Sequence, residues 1–152
     1  MIRIASSLLD AIADRAAGAY PEECCGLLIG TIDPQGDVRV ARLVASANVA
    51  EGDRRAAFEI DPQVHFDVIR ALRDAPGERS GEPPGERIVG HYHSHPDHPA
   101  LPSARDLERA WEPGLIWLIA AVPAGRPGEI RAHAVNPASG RFREIPLRPE
   151  SP

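Results

Sequence analysis

Lysine is absent from the 152-residue sequence, and all 17 of its basic residues are arginine. This absence excludes any mechanism in which a lysine amine acts as a nucleophile or forms a Schiff base. The arginines are scattered along a chain of formal net charge -5, which is not the clustered basic pattern of a nucleic-acid-binding protein. We therefore expect no nucleic-acid partner.

Cysteine is scarce, and the two cysteines, Cys24 and Cys25, are adjacent. Adjacent cysteines rarely satisfy the geometry of a disulfide. Without a C-x-x-C motif the sequence also has neither a thiolate zinc ribbon nor a dithiol redox site. Both residues lie in an apolar run with no basic neighbour to lower a thiol pKa, so we expect buried, unreactive thiols in a reducing compartment.

Long hydrophobic runs are missing as well. The longest apolar run, Leu115 to Val122, is far too short to span a bilayer. Asp10 and Asp14 interrupt the apolar N-terminal segment, so we expect no signal peptide. These features predict a cytoplasmic protein without a membrane partner.

The composition that remains, 43% hydrophobic and 26% charged, is typical of a globular protein. We expect one domain over residues 1–148 and a C-terminal tail at residues 149–152. The segment 75–87 is rich in proline, glycine and glutamate. We interpret it as a flexible loop inside the domain, because a linker there would leave two halves too small for good cores.

Helical and strand patterns are mixed along the chain. We expect Ser6 or Ser7 to cap a first helix, and the turn residues Asp33–Gly36 to join two apolar strands as a hairpin. Asp61 and Pro62 start a second helix, whose inward positions we predict to be Val64, Val68, Ile69 and Leu72. The mixture predicts an α+β domain with a mixed, largely antiparallel sheet.

The stretch HYHSHPDHPALPSARDLERAW, residues 91–111, holds four of the six histidines. Alternate strand residues point the same way, so His93 and His95 can present their imidazoles to one point, and Asp106 can return as a third ligand. Two histidines and one carboxylate leave the fourth position of Zn²⁺ for water, which is the catalytic arrangement. Spacing alone does not choose the pair, because His91 alternates equally well and His98 is close enough to compete.

Ser103 and Asp106 also have a purely structural interpretation. A serine followed three residues later by an acid, just before an apolar helical stretch, is typical of a capping box. The two interpretations are compatible, because a helix start that is capped in this way can direct one carboxylate at a metal.

The complete pattern HSHPDHPALPSARD resembles the JAMM (MPN+) metalloprotease motif, H-x-H-x7-S-x2-D, and matches each of its specified positions. The upstream segment PEECCGLLIG is similar to the part of that family which carries a glutamate. Glu23, three residues before Gly26, is the matching residue, and Glu22 offers the same charge as an alternative. The order of elements also resembles the small prokaryotic JAMM proteins over most of the chain.

This resemblance implies a cytidine-deaminase-like fold, a mixed sheet flanked by helices, with one Zn²⁺ and a catalytic water. It implies that His93, His95 and Asp106 bind the zinc. Glu23 would be the general base toward the water and then the proton donor to the leaving amine. Ser103 would donate a hydrogen bond to the tetrahedral oxyanion.

The other histidines have no chemical role in this scheme. We expect His91 to pack beside the ligands, His98 to lie at the rim of the cleft, and His65 and His133 to be surface or half-buried residues.

JAMM enzymes cut peptide or isopeptide bonds after the C-terminal glycine of ubiquitin-like proteins. The compact form of this chain resembles the subgroup that acts on ubiquitin-like sulfur-carrier proteins with a Gly-Gly C-terminus. The resemblance implies such a carrier as substrate, from which the enzyme releases an amino acid such as cysteine or trims a longer tail.

Two other functions are weighed against this one. A non-catalytic MPN scaffold would use the same fold for binding alone, but it has no need for an open metal position. A zinc deaminase would need the H-x-E and P-C-x-x-C signatures, which the sequence lacks. The sequence does not decide between a monomer and a homodimer.

Overall fold

The computed structural model describes residues 1–74, 85–110, 112 and 114–151. Its elements follow in the order β1 (Ile2–Ala5), α1 (Ser6–Ala19), β2 (Cys25–Ile32), β3 (Val38–Ser46), α2 (Pro62–Asp74), β4 (Arg87–Pro96), α3 (Ala104–Arg109), β5 (Ile116–Val122), a short 3-10 helix (Pro123–Gly125), β6 (Ile130–Asn136), β7 (Arg141–Ile145) and β8 (Leu147–Glu150). Most of the loop predicted at residues 75–87 lies outside the described residues, and so does Trp111.

The eight strands form one sheet in the order β7-β6-β5-β4-β2-β3-β1-β8. Strands β1 and β3, β1 and β8, and β4 and β5 pair in parallel, and the four other neighbouring pairs are antiparallel. The hairpin predicted at Asp33–Gly36 is present between β2 and β3, where the Asp33 carboxylate accepts hydrogen bonds from the backbone of Gln35 and Asp37.

Helices cover both faces of the sheet. Ile12 and Ala16 of α1 pack in a core cluster that contains Leu28 of β2. Val68 of α2 packs against Leu27, the neighbouring residue of the same strand. Because successive strand residues point to opposite faces, α1 and α2 lie on opposite sides of the sheet, which confirms the predicted architecture of a mixed sheet flanked by helices.

Close approach at the centre of the sheet explains the glycine that follows the two cysteines. Gly26 pairs with Tyr92 of β4, and a Cβ at this position would overlap the Tyr92 ring. The glycine therefore leaves room for the buried Tyr92 ring to lie over β2 at this position.

Three details differ from the sequence predictions. Helix α1 starts at Ser6, directly after β1, and its N-cap is Ala5, which makes no side-chain hydrogen bond to the helix. The predicted serine cap is wrong, because both serines already lie in the first turn. Ile69 is 50% exposed, so its predicted inward position is also wrong, and only one side of α2 meets the sheet. Strand β8 includes Pro149 and Glu150, two residues that we expected in the tail.

Among the residues that the model describes, every helix is too short or too polar to cross a bilayer.

Candidate metal centre

Two imidazole rings of strand β4 meet on the face of the sheet that carries α2. His93 and His95 alternate along the strand, and their Nε2 atoms lie 3.0 Å apart. Their side chains are almost completely withdrawn from solvent, with 0% and 6% of their surface exposed. Two ring nitrogens that face each other at this distance need a shared proton or a cation between them, because their lone pairs repel.

Helix α3 brings a carboxylate to the same point. The oxygens of Asp106 lie 3.4 Å from Nε2 of His93 and 3.2 Å from Nε2 of His95. The Asp106 backbone N–H donates to Ser103 Oγ at 3.1 Å, and the Ser103 N–H donates to Asp106 Oδ2 at 2.8 Å. The predicted capping box is thus confirmed, and the cap holds the carboxylate against the two rings.

The three side chains suit a tetrahedral metal ion. Ligand atoms about 2.0–2.1 Å from one zinc ion in tetrahedral geometry lie about 3.3 Å from each other. The two ring nitrogens lie 3.0 Å apart, and each lies 3.4 or 3.2 Å from a different oxygen of Asp106, which is close to that spacing. Burial lowers the pKa of His93 and keeps its ring neutral, which is the form that binds a metal. The residues present therefore fit a metal with nitrogen and oxygen ligands.

Glu23 lies beside these ligands and is buried, with 6% of its surface exposed. A carboxylate oxygen of Glu23 and one ring nitrogen from each of His93 and His95 lie within 4.8 Å of one another. Within the described chain Glu23 makes no ion pair with either ring, so its carboxylate stands further from the histidines than that of Asp106. Its neighbour Glu22 is exposed, which makes Glu23 the acid that faces the site.

The backbone around Glu23 is fixed by contacts from three directions. Its N–H donates to the Arg54 carbonyl at 2.8 Å, and its carbonyl accepts from Asn48 Nδ2 at 3.0 Å. The next N–H, of Cys24, donates to the buried hydroxyl of Ser94, the residue between the two histidines. Burial raises the pKa of Glu23 to about 8, against the opposing charge of His95. At this pKa a carboxyl group can both accept and release a proton near neutral pH.

The remaining histidines do not join the ligands. His91 packs edge-on against Trp117 with 4.2 Å between ring centroids, and His98 is exposed. His65 is exposed too. His133, however, is only 3% exposed, and its Nε2 lies 2.9 Å from the Ala100 carbonyl. The expected surface or half-buried position of His133 is wrong, because this ring anchors the loop that joins β4 to α3.

Two residues near the site carry no motif that marks them. The Phe58 ring stacks on His93 with 4.2 Å between centroids and 17° between planes, and its carbonyl accepts a hydrogen bond from Arg109. Asn48 bridges the carbonyls of Glu23 and Ala57. These contacts join segments that are far apart in sequence, so local spacing gives no signal for them.

Two cavities flank the ligands. The Phe58 cavity, about 560 Å³, is lined by Phe58, Glu59, Ile60, His65, His91, Arg109 and Trp117. The Glu23 cavity, about 350 Å³, is lined by residues that include Glu23, His95, Ser103, Arg55 and Leu101.

The two thiols lie in the core, as predicted. Cys24 and Cys25 are unpaired, with 5% and 0% of their surface exposed. Burial raises the pKa of Cys25 to about 12, so its thiolate is not formed near neutral pH.

Comparison with known proteins places residues 5–135 in the family described as prokaryotic homologues of the JAB domain. A desampylase of Haloferax volcanii is 39% identical over 148 residues, which span 95% of this chain and 90% of that protein. A CysO-cysteine peptidase of Mycobacterium tuberculosis is 28% identical over 144 residues, 95% of this chain and 88% of that protein.

Solved structures give the same fold. A protein of Desulfitobacterium hafniense superimposes with a TM-score of 0.80 at 25% identity, over 100% of this chain and 94% of that one. A JAB1/MPN domain protein of Archaeoglobus fulgidus superimposes with a TM-score of 0.55 at 20% identity, over 96% of this chain and 98% of the other.

Proposed function

The chain belongs to the family of prokaryotic JAB-domain proteins, and from this premise we propose that it is a zinc-dependent peptidase or isopeptidase. Its substrate is a ubiquitin-like sulfur-carrier protein, and it hydrolyses the bond after the C-terminal glycine. The reaction releases an amino acid such as cysteine or trims a longer tail. The observation that carries the proposal is the meeting of His93, His95 and Asp106 beside the buried carboxylate of Glu23.

His93, His95 and Asp106 hold one zinc ion per chain. A zinc ion bound there supplies Lewis acidity, which lowers the pKa of a water ligand and polarises the scissile carbonyl. Three protein ligands leave the fourth position open, as in catalytic rather than structural zinc sites.

Glu23 moves the protons. Its carboxylate accepts a proton from the attacking water and then donates it to the leaving amine nitrogen. The raised pKa of this buried group supports both steps. The hydrogen bonds to its backbone from both sides hold the backbone of Glu23 in place beside the ligands.

Ser103 binds the oxyanion of the tetrahedral intermediate. Its Oγ already accepts a hydrogen bond from the Asp106 backbone. A serine hydroxyl has one donor besides its acceptor lone pairs. The cap therefore leaves the Ser103 proton available to the oxyanion, where a fixed donor lowers the barrier.

The substrate class rests on the two relatives, whose names are desampylase and CysO-cysteine peptidase. The scaffold alternative receives no support from the site, since pure binding requires neither the converging ligands nor a buried acid beside them. The cytoplasmic location stays a prediction.

A cleavage assay with the Glu23→Ala variant tests the proposal. Zinc-loaded wild-type protein is expected to cleave a sulfur-carrier protein extended beyond Gly-Gly, after the second glycine. Glu23→Ala is expected to lose about 10²–10⁴-fold in rate while it retains zinc, measured by elemental analysis. The matched control is Glu22→Ala, an exposed neighbour with the same charge, which is expected to cleave at the wild-type rate.

Equal rates for wild type and Glu23→Ala would contradict the role of Glu23. No cleavage of any extended carrier by the zinc-loaded wild type would contradict the substrate class.

A further inference from the structure

We propose that the Glu23 cavity binds a single leaving amino acid by its free α-carboxylate, and that Arg55 is the residue that binds this carboxylate. This inference rests on the proposed function and narrows it. It makes the protein a peptidase that prefers one terminal residue over an isopeptide bond to the side chain of a folded protein.

The position of Glu23 assigns the leaving group to this cavity. The acid that protonates the leaving nitrogen must reach it within hydrogen-bond distance. Glu23 lines the Glu23 cavity together with His95 and Ser103. The described residues around the Phe58 cavity include none of these three. The amine therefore departs into the Glu23 cavity.

The size of the cavity suits a small leaving group. Ligand pockets span about 300–1,000 Å³, and this one, at about 350 Å³, is near the lower limit. Its lining also contains the apolar side chains Ala56, Pro99, Leu101 and Pro102. Such apolar residues can contact one small apolar side chain of the leaving amino acid.

Arg55 supplies the charge that a free carboxylate needs. Its Nε donates to Asp53 Oδ1 at 3.1 Å, and its own backbone N–H donates to the same oxygen at 3.0 Å. Asp53 thus pairs with the guanidinium through one of its five donors, at the surface, where the side chain of Arg55 is 67% exposed. The remaining N–H groups can form the bidentate pair that arginine makes with carboxylates.

Arg55 is the arginine among the residues that line the Glu23 cavity. A leaving amino acid would be recognised at three points: its amine at Glu23, its side chain at the apolar residues, and its carboxylate at Arg55. In an isopeptide bond the reacting amine is the lysine Nζ, which is separated from any carboxylate by the whole side chain, so such a leaving group lacks a carboxylate next to its amine.

The kinetic test compares two substrates that differ in one group. A ubiquitin-like carrier is extended after Gly-Gly by one alanine, with a free carboxylate in one form and a carboxamide in the other. We expect wild-type protein to prefer the carboxylate about tenfold in kcat/KM, and Arg55→Gln to abolish the preference. The control is Arg73→Gln, since Arg73 is also exposed and pairs with a nearby aspartate, Asp74, but lies outside the cavity.

A binding test needs no turnover. N-terminally labelled peptides that end in Gly-Gly-Ala, as acid or amide, are titrated into Glu23→Gln and into the double variant Glu23→Gln/Arg55→Gln, with fluorescence anisotropy as the signal. The acid is expected to bind about tenfold more tightly than the amide, and only when Arg55 is present. A peptide that ends in Gly-Gly is expected to bind both variants equally, because its carboxylate would lie at the histidines.

Equal affinity for the acid and the amide would overturn the inference, and so would a dependence of Gly-Gly binding on Arg55. Cleavage of the acid, the amide and an isopeptide-linked carrier at equal rates would overturn it too, while the proposed function would stand. Arg55-dependent binding of the acid without any cleavage would support the carboxylate site and contradict the proposed hydrolysis.

Discussion

The two histidines at the centre of the site share a strand and differ in their surroundings. His93 is completely buried, and the Phe58 ring stacks on it. His95 lines the Glu23 cavity, and its Nδ1 lies 3.1 Å from the Pro99 carbonyl. One ring is thus held by packing and the other by a hydrogen bond at the edge of the reactive cavity.

His93 and His95 are two residues apart on the same strand, yet their rings are held in different ways. The Nδ1–H of His95 donates to Pro99, which fixes the tautomer and leaves Nε2 free for a metal. Nδ1 of His93 has no hydrogen-bond partner within the described residues, so its orientation depends on the ring that covers it. We call the packed His93 side of the site structural and, under the proposed function, the His95 side reactive.

The substitution with the largest expected effect on metal binding removes the carboxylate of Asp106, which lies close to both His93 and His95. Asp106→Ala deletes a ligand and half of the capping box, so we expect zinc affinity to fall by at least about 10²-fold and hydrolysis to be lost. The matched control is Asp61→Ala, because Asp61 Oδ1 also accepts a backbone hydrogen bond at a helix start, from Gln63 of α2, away from the ligands. Zinc titration with a competing chelator measures the difference.

Zinc content that is unchanged in Asp106→Ala would show that a different side chain, such as His98, completes the site.

Ser103 tests the reactive side alone. Ser103→Ala is expected to lower kcat by about 10²-fold through loss of the oxyanion donor, and stability by about 1 kcal/mol through loss of the cap. Ser103→Gly also removes the hydroxyl, but glycine at an N-cap costs only a few tenths of a kcal/mol. Both variants should therefore show the same loss in kcat, while their free energies of unfolding should differ. If kcat followed stability instead, the serine would act only as a cap.

Phe58 tests the structural side. Phe58→Ala removes a ring that is 8% exposed and stacks on His93, so we expect the free energy of unfolding to fall by about 3 kcal/mol. The preference between the acid and amide substrates should remain, because Arg55 is untouched. Phe66→Ala, at a phenylalanine that is 55% exposed, is the control and should change stability by less than about 0.5 kcal/mol. Equal destabilisation by both changes in a denaturant titration would refute the packing role of Phe58.

Local spacing in the sequence indicated where the site lies but left His91 and His98 open, and the family resemblance selected His93 and His95. His93 and His95 are two residues apart on one strand, and Asp106 sits in a capping box whose pattern can be read directly. The α+β class with a mixed sheet followed from strand patterns and turn residues, and the helices on both sides of the sheet were implied by the family resemblance. Local patterns were less reliable at the ends of elements. Ser6 or Ser7 was expected to cap α1, but the helix already begins at Ser6 and its N-cap is Ala5.

What was not predicted depends on contacts between distant segments. Phe58 reaches His93, and His133 reaches Ala100, across more than thirty residues. No periodicity encodes such pairs, because they result from how the sheet brings loops together. The exposure of Ile69 has the same origin, since the position of α2 on the sheet decides which of its apolar residues are covered.

The central claim, that this geometry makes a zinc-dependent hydrolase, is tested most directly by removal and return of the metal. Protein dialysed against a chelator should lose cleavage of an extended sulfur-carrier protein. Stepwise addition of Zn²⁺ should restore the activity in proportion to bound metal, up to one ion per chain, in wild type but not in Glu23→Ala. Cleavage by metal-free protein, or activity that returns without bound zinc, would contradict the account.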